Sequence, residues 1–161
     1  MFVGDTPRAL DDVELDEVSA LIDAWATRQL DELDVVAAVE RSREPGERRW
    51  FIRVRGEAKD VFTIWLDLRQ RTLRYETYLL PGPQEHAAEV YETVLRRNHE
   101  LYGVAFTIGE EDALFLRGHV PAEAVTDAEL DRVLGTLYAL TERWFRPLLE
   151  LAFESRLRTG P

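Results

Sequence analysis

A chain of 161 residues can bury roughly 70% of the surface it exposes when unfolded, enough for a core without covalent support. It has no cysteine, which excludes disulfides, a thiol nucleophile and thiolate metal sites. Its formal charge of −11 repels nucleic acid and anionic membranes at long range and disfavours acidic partners.

The first ten residues show no periodicity, so flexible ends are expected around an ordered core over about 12–152, within a single domain covering 1–161. Met1-Phe2-Val3-Gly4-Asp5 lacks the basic and apolar regions of a secretory leader. No run approaches the roughly 20 apolar residues of a membrane span. The expected location is the cytoplasm, with no membrane partner.

Asp11 or Asp12 can cap the open amides of a first helix. Leu15, Val18, Leu21, Ile22, Trp25 and Leu33 follow at helical spacing, predicting a helix over 13–32. Val35 to Arg41 reads as a strand, and Glu44-Pro45-Gly46-Glu47 as the turn of its hairpin. Trp50 to Arg55 returns, with Trp50, Ile52 and Val54 alternating against Phe51, Arg53 and Arg55. Val61 to Leu68 and Thr72 to Leu80 complete an antiparallel meander of four strands.

Pro83 suits the first turn of a second helix over about 84–102. Gly103 stands where a left-handed residue would close that helix. Val104 to Ile108 and Ala113 to His119 form a hairpin around Gly109-Glu110-Glu111-Asp112. Thr126-Asp127-Ala128-Glu129 has capping-box spacing and opens the last helix. Pro147 is expected to kink or end it, because its ring clashes with the preceding turn. The tail after Phe153 reads as disordered. The order is α-β-β-β-β-α-β-β-α, an α+β fold.

Catalytic chemistry is hard to place on this order. Ser19, Ser42 and Ser155 are the only serines, none in a glycine-flanked nucleophile elbow. His99-Glu100-Leu101-Tyr102-Gly103 starts like a zinc-protease helix, but Gly103 occupies the position of the second histidine. His86 and Glu89 could share a cation, although a solvated helix start explains them more simply. His119 reads as an edge residue beside Pro121. Glu110, Glu111 and Asp112 offer too few ligands at controlled spacing for an oxygen cage. The expectation is no enzyme, no cofactor and no metal.

Asn98 falls on the apolar seam of the second helix. It either bonds the backbone of the adjacent hairpin or sets register in a dimer seam, with the first preferred. Strand alternation supplies the other feature. If Phe62, Ile64 and Leu66 face the helices, then Val61, Thr63 and Trp65 face away. By the same alternation Arg74, Glu76, Tyr78, Phe115 and Arg117 also face away. Aromatic side chains among arginines are typical of partner-binding centres, so Trp65, Arg74, Tyr78, Phe115 and Arg117 are the candidate contact residues. Another helix or a dimer mate covering them is the competing expectation.

Leu95-Arg96-Arg97-Asn98-His99-Glu100-Leu101-Tyr102-Gly103-Val104-Ala105-Phe106-Thr107-Ile108 is followed by Glu110-Glu111-Asp112-Ala113-Leu114-Phe115-Leu116, then Val120-Pro121, then a long helix containing Trp144. This arrangement resembles the YbjN family, which is similar in fold to the class I type III secretion chaperones. The resemblance spans about 13–150 and gives Asn98, Gly103 and Pro121 structural roles. It implies a homodimer that binds an extended client segment without catalytic residues, or a regulator. A small-ligand sensor with a pocket between helices and sheet is the alternative.

Overall fold

The computed structural model describes residues 6–158. Helix α1 (Asp12–Glu32) is capped by Asp11, whose carboxylate accepts the Glu14 N–H at 2.8 Å. In return the Glu14 carboxylate accepts the Asp11 N–H at 3.2 Å. Two amides without an intrahelical partner are thereby satisfied, and Asp11 is the cap of the two candidates.

Strands β1 (Val36–Arg41), β2 (Arg49–Arg55), β3 (Val61–Leu68) and β4 (Thr72–Leu80) form the expected meander. Helix α2 (Ala87–Asn98) then leads to β5 (Ala105–Ile108) and β6 (Leu114–Pro121). The hairpin joins in reverse, giving a six-stranded antiparallel sheet in the order β1-β2-β3-β4-β6-β5. Helices α3 (Asp127–Ala152) and α4 (Glu154–Arg158) complete the chain.

One face of the sheet is covered. Alternation sends Trp50, Ile52, Ile64, Leu66, Leu73 and Leu116 inward, all almost fully buried. Helix α3 lies against β4, with α1 against β1 on one side and α2 against β5 on the other. Two polar links pin α1 in rotation. Trp25 Nε1 donates to Asp131 on α3 and Trp50 Nε1 donates to Asp23 on α1, both at 2.8 Å. Large indoles thus bury their rings and still find an acceptor.

Four expectations need correction. Helix α2 begins at Ala87, not near 84, and Pro83 precedes it. The Gln84 and Glu85 amides instead donate to the Ala152 carbonyl at 3.2 and 3.0 Å, filling an orphan acceptor at the end of α3. Helix α2 also stops at Asn98. Gly103 is left-handed, at φ 72°, but it turns the following loop rather than closing the helix.

Pro147 lies within α3, which runs on to Ala152. Burial of Leu148, Ala152 and Phe153 beyond it outweighs one missing backbone hydrogen bond. The ends differ too. Leu10 is buried and its amide donates to the Gln70 carbonyl at 2.8 Å, while Arg8 pairs with Glu14 and Glu123. Helix α4 occupies the start of the supposed tail. Residues 1–5 and 159–161 lie outside the described region.

Candidate partner-binding face

Residues on the outer face fall into rows, because cross-strand neighbours in register share a face. One row crosses all six strands as Glu40, Phe51, Trp65, Glu76, Arg117 and Ala105. A second row runs through Arg49, Asp67, Arg74 and His119. On the other side of the first, Tyr78 pairs with Phe115 and Phe115 with Thr107.

The aromatics meet in two edge-to-face pairs. Phe51 and Trp65 have ring centroids 5.0 Å apart, and Tyr78 and Phe115 are 5.5 Å apart. The Arg117 guanidinium lies 4.1 Å from the Phe115 centroid while its Nε donates to Glu76 Oε2 at 2.5 Å. Trp65 is 41% exposed and Tyr78 42%, so neither is covered by a helix of this chain. A trough of about 550 Å³ opens beside them, lined by Arg49, Trp65, Arg74, Glu76, Arg117 and His119.

Lys59, the only lysine, anchors one corner. Its Nζ donates to the Tyr78 and Leu79 carbonyls at 2.7 and 2.9 Å, where the β4–β6 register slips between Tyr78 and Leu80. It also lies over the Tyr78 and Phe145 rings, 5.0 and 5.3 Å from their centroids. Burial pushes its pKa down to about 8. Burial, and then the Glu111 carboxylate, push the Tyr78 phenol up.

The structural candidates sit away from this face. Asn98 bonds the backbone of Phe106 in β5 through both ends of its amide, at 2.7 and 3.1 Å. The Gly103 carbonyl accepts the Tyr75 hydroxyl. Pro121 ends β6 opposite Thr72, and the next amide, of Ala122, donates to Arg71 O at 2.9 Å.

His119 sits near the end of β6, paired with Arg74 on β4 and beyond the reach of β5, whose pairing stops at Arg117, so it is an edge residue locally although β6 lies between β4 and β5. His86 Nε2 lies 3.0 Å from Glu154 Oε2 and its Nδ1 lies 3.7 Å from Glu89 Oε1. Glu85, His86 and Glu154 can bring one ligand atom each within 4.8 Å of one another. Their carboxylates already serve Ser155 and Arg158, so the cluster ties the segment before α2 to α4.

Sequence reasoning missed Glu142, which accepts the Glu57 and Ala58 amides at 3.1 and 2.8 Å and fixes the β2–β3 turn from α3. Nothing in local spacing signals so distant a partner. Arg49 was likewise not singled out, because its relation to Arg74 and His119 depends on the sheet order and register.

The YbjN family, described as "putative bacterial sensory transduction regulator", matches residues 15–150. The chain belongs to that family. Uncharacterized proteins of Mycobacterium tuberculosis and Mycobacterium bovis are each 36% identical over 103 residues, covering 64% of this chain and 56% of theirs. The chain therefore matches little more than half the length of these relatives.

The fold is that of type III secretion chaperones. A chain in the ExsC–ExsE complex superposes with a TM-score of 0.58 at 17% identity, covering 83% of this chain and 95% of that one. A chain in the ExoU–SpcU heterodimer from the type III secretion system of Pseudomonas aeruginosa gives 0.52 at 16% identity, covering 80% and 98%. The Yersinia pestis chaperone SycH, in complex with a fragment of YscM2, gives 0.50 at 15% identity, covering 77% and 96%. Among the described residues no helix is long and apolar enough to cross a membrane.

Proposed function

We propose that this YbjN-family chain is a non-enzymatic, homodimeric protein-binding module, chaperone-like or regulatory, acting in the cytoplasm as a single domain. The observation that carries the reading is the outer face, where Trp65, Tyr78 and Val61 remain 41 to 50% exposed beside paired arginines. Exposed aromatics of this size are costly to leave in water and fit a partner that covers them. The structural neighbours support it at the level of fold, since each comes from a complex with a partner protein or fragment.

Affinity capture of the full chain from its native cell should return one protein whose retention drops in Trp65→Ala and in Phe115→Glu. A partner held equally well by both variants would place binding elsewhere. Light scattering tests the dimer separately: a mass of 18.6 kDa at micromolar concentration would remove it.

A small-ligand reading draws on one further cavity, of about 410 Å³, between α1 and α3. Gln29, Leu33, Val35, Leu134, Gly135 and Tyr138 line it. A thermal-shift screen addresses this reading, because a ligand at a hundred times its Kd stabilises by roughly 2.7 kcal/mol.

A further inference from the structure

We propose that the Arg49–Asp67–Arg74–His119 row docks a carboxylate-rich, extended segment of a partner protein, with Trp65 receiving an apolar side chain beside the carboxylates. The inference rests on the outer face being the binding surface and adds the chemistry of the partner.

The observation is a local reversal of charge. The outer-face trough and the cavity next to it, at the β1–β2 and β3–β4 turns, share Arg49, Asp67, Arg69 and Arg74 in their linings. Together they gather six arginines (48, 49, 69, 71, 74 and 117) against four carboxylates (Asp12, Glu47, Asp67 and Glu76). The chain as a whole carries −11. One carboxylate, Asp67, serves two guanidiniums, Arg69 at 2.9 Å and Arg49 at 3.8 Å. Arg74, its cross-strand neighbour, has no ion pair among the described residues and faces His119 on its other side.

The Asp67 carboxylate beside Arg74 is already shared by Arg49 and Arg69, so an added carboxylate finds in Arg74 a guanidinium with no ion pair among the described residues. The surrounding negative surface selects which anion. A long polyphosphate would run onto that surface and be repelled, whereas a short acidic segment can end within the trough. Charged walls then set register, while the exposed Trp65 ring offers apolar area to a neighbouring side chain. The global charge disfavours acidic partners, and this row is where that rule is locally reversed.

The test is two-dimensional NMR of the full chain titrated with a short oligo-L-glutamate peptide at low salt, with the oligo-L-lysine peptide of the same length as control. Saturable shifts at Arg74, His119 and the Trp65 indole, fading with added salt, are expected. Arg74→Glu should weaken them roughly tenfold or more, equivalent to about 1.4 kcal/mol. Arg74→Gln serves as the second variant if the reversal unfolds the chain.

No shifts, shifts confined to arginines elsewhere, or shifts indifferent to both Arg74 variants would overturn the proposal. If Trp65→Ala abolishes capture of the native partner while Arg74→Glu does not, the outer-face reading stands and the acidic segment falls. If neither changes capture, both fall. A wild-type dimer that Arg74→Glu converts to monomer makes the occupant a second copy, which also overturns it.

Discussion

Asn98 on α2 satisfies both backbone groups of Phe106 on β5: its Oδ1 accepts the amide at 2.7 Å and its Nδ2 donates to the carbonyl at 3.1 Å. One side chain thus acts as the missing neighbour of an edge strand. Asn98→Ala leaves two half-buried backbone groups to find water, at a cost of about 1–3 kcal/mol. Urea unfolding should show it, with Asn98→Asp intermediate because it keeps only the acceptor. An unchanged midpoint in Asn98→Ala would mean that water replaces the amide without loss.

Gly118 faces inward directly opposite Tyr75, and a Cβ there would collide with the Tyr75 ring and the Gly103 carbonyl. Gly118→Ala is therefore expected to cost about 1–3 kcal/mol through overpacking. The same change should displace the Tyr75 hydroxyl from Gly103. Thermal unfolding checks the first, and the Tyr75 ring resonances check the second.

Thr141 is fully buried on α3, and its hydroxyl has no hydrogen-bond partner among the described residues. Replacement by valine keeps the branched shape and removes the unsatisfied oxygen. Thr141→Val should raise stability by about 1 kcal/mol, read as a higher urea midpoint at unchanged slope. A loss of stability would reveal a partner for the hydroxyl in solution.

Lys59 should react as an unusually basic-poor amine. Its pKa of about 8 lies below the ordinary 10.5, so the neutral, nucleophilic form dominates above about pH 8. The lowered folded-state value also means that the unfolded chain holds the proton more tightly between about pH 8 and 10.5. This group's contribution therefore favours folding increasingly as pH rises through that window. Acetic anhydride labelling followed by peptide mapping should give a reactivity midpoint near pH 8 at this single lysine. A midpoint above 10 would show that the two carbonyls and two rings hold the ammonium charged.

Strand identity was legible because alternation is local: Phe62, Ile64 and Leu66 against Val61, Thr63 and Trp65 already define two faces. The outer aromatics followed from that pattern alone. Helix α2 was misjudged for the opposite reason. Leu101 and Tyr102 extend its apolar spacing, yet Asn98 turns to the β5 backbone and the helix stops. Its start depends on the Ala152 carbonyl, more than sixty residues away. The Arg49–Asp67–Arg74–His119 row was invisible for a related reason, since it exists only once β6 is known to pair with β4.

That strand order also has a consequence for synthesis. As the chain leaves the ribosome, the meander can pair while β4 has no neighbour on its far side, and β6 arrives only after α2 and β5 have been made. During that interval β4 is an open template for strands of other nascent chains. Arg74 and Glu76 interrupt its apolar residues at alternate positions, which is how exposed edges are kept from self-pairing. Charges that lie on the outer face of the finished sheet therefore guard the unfinished one first.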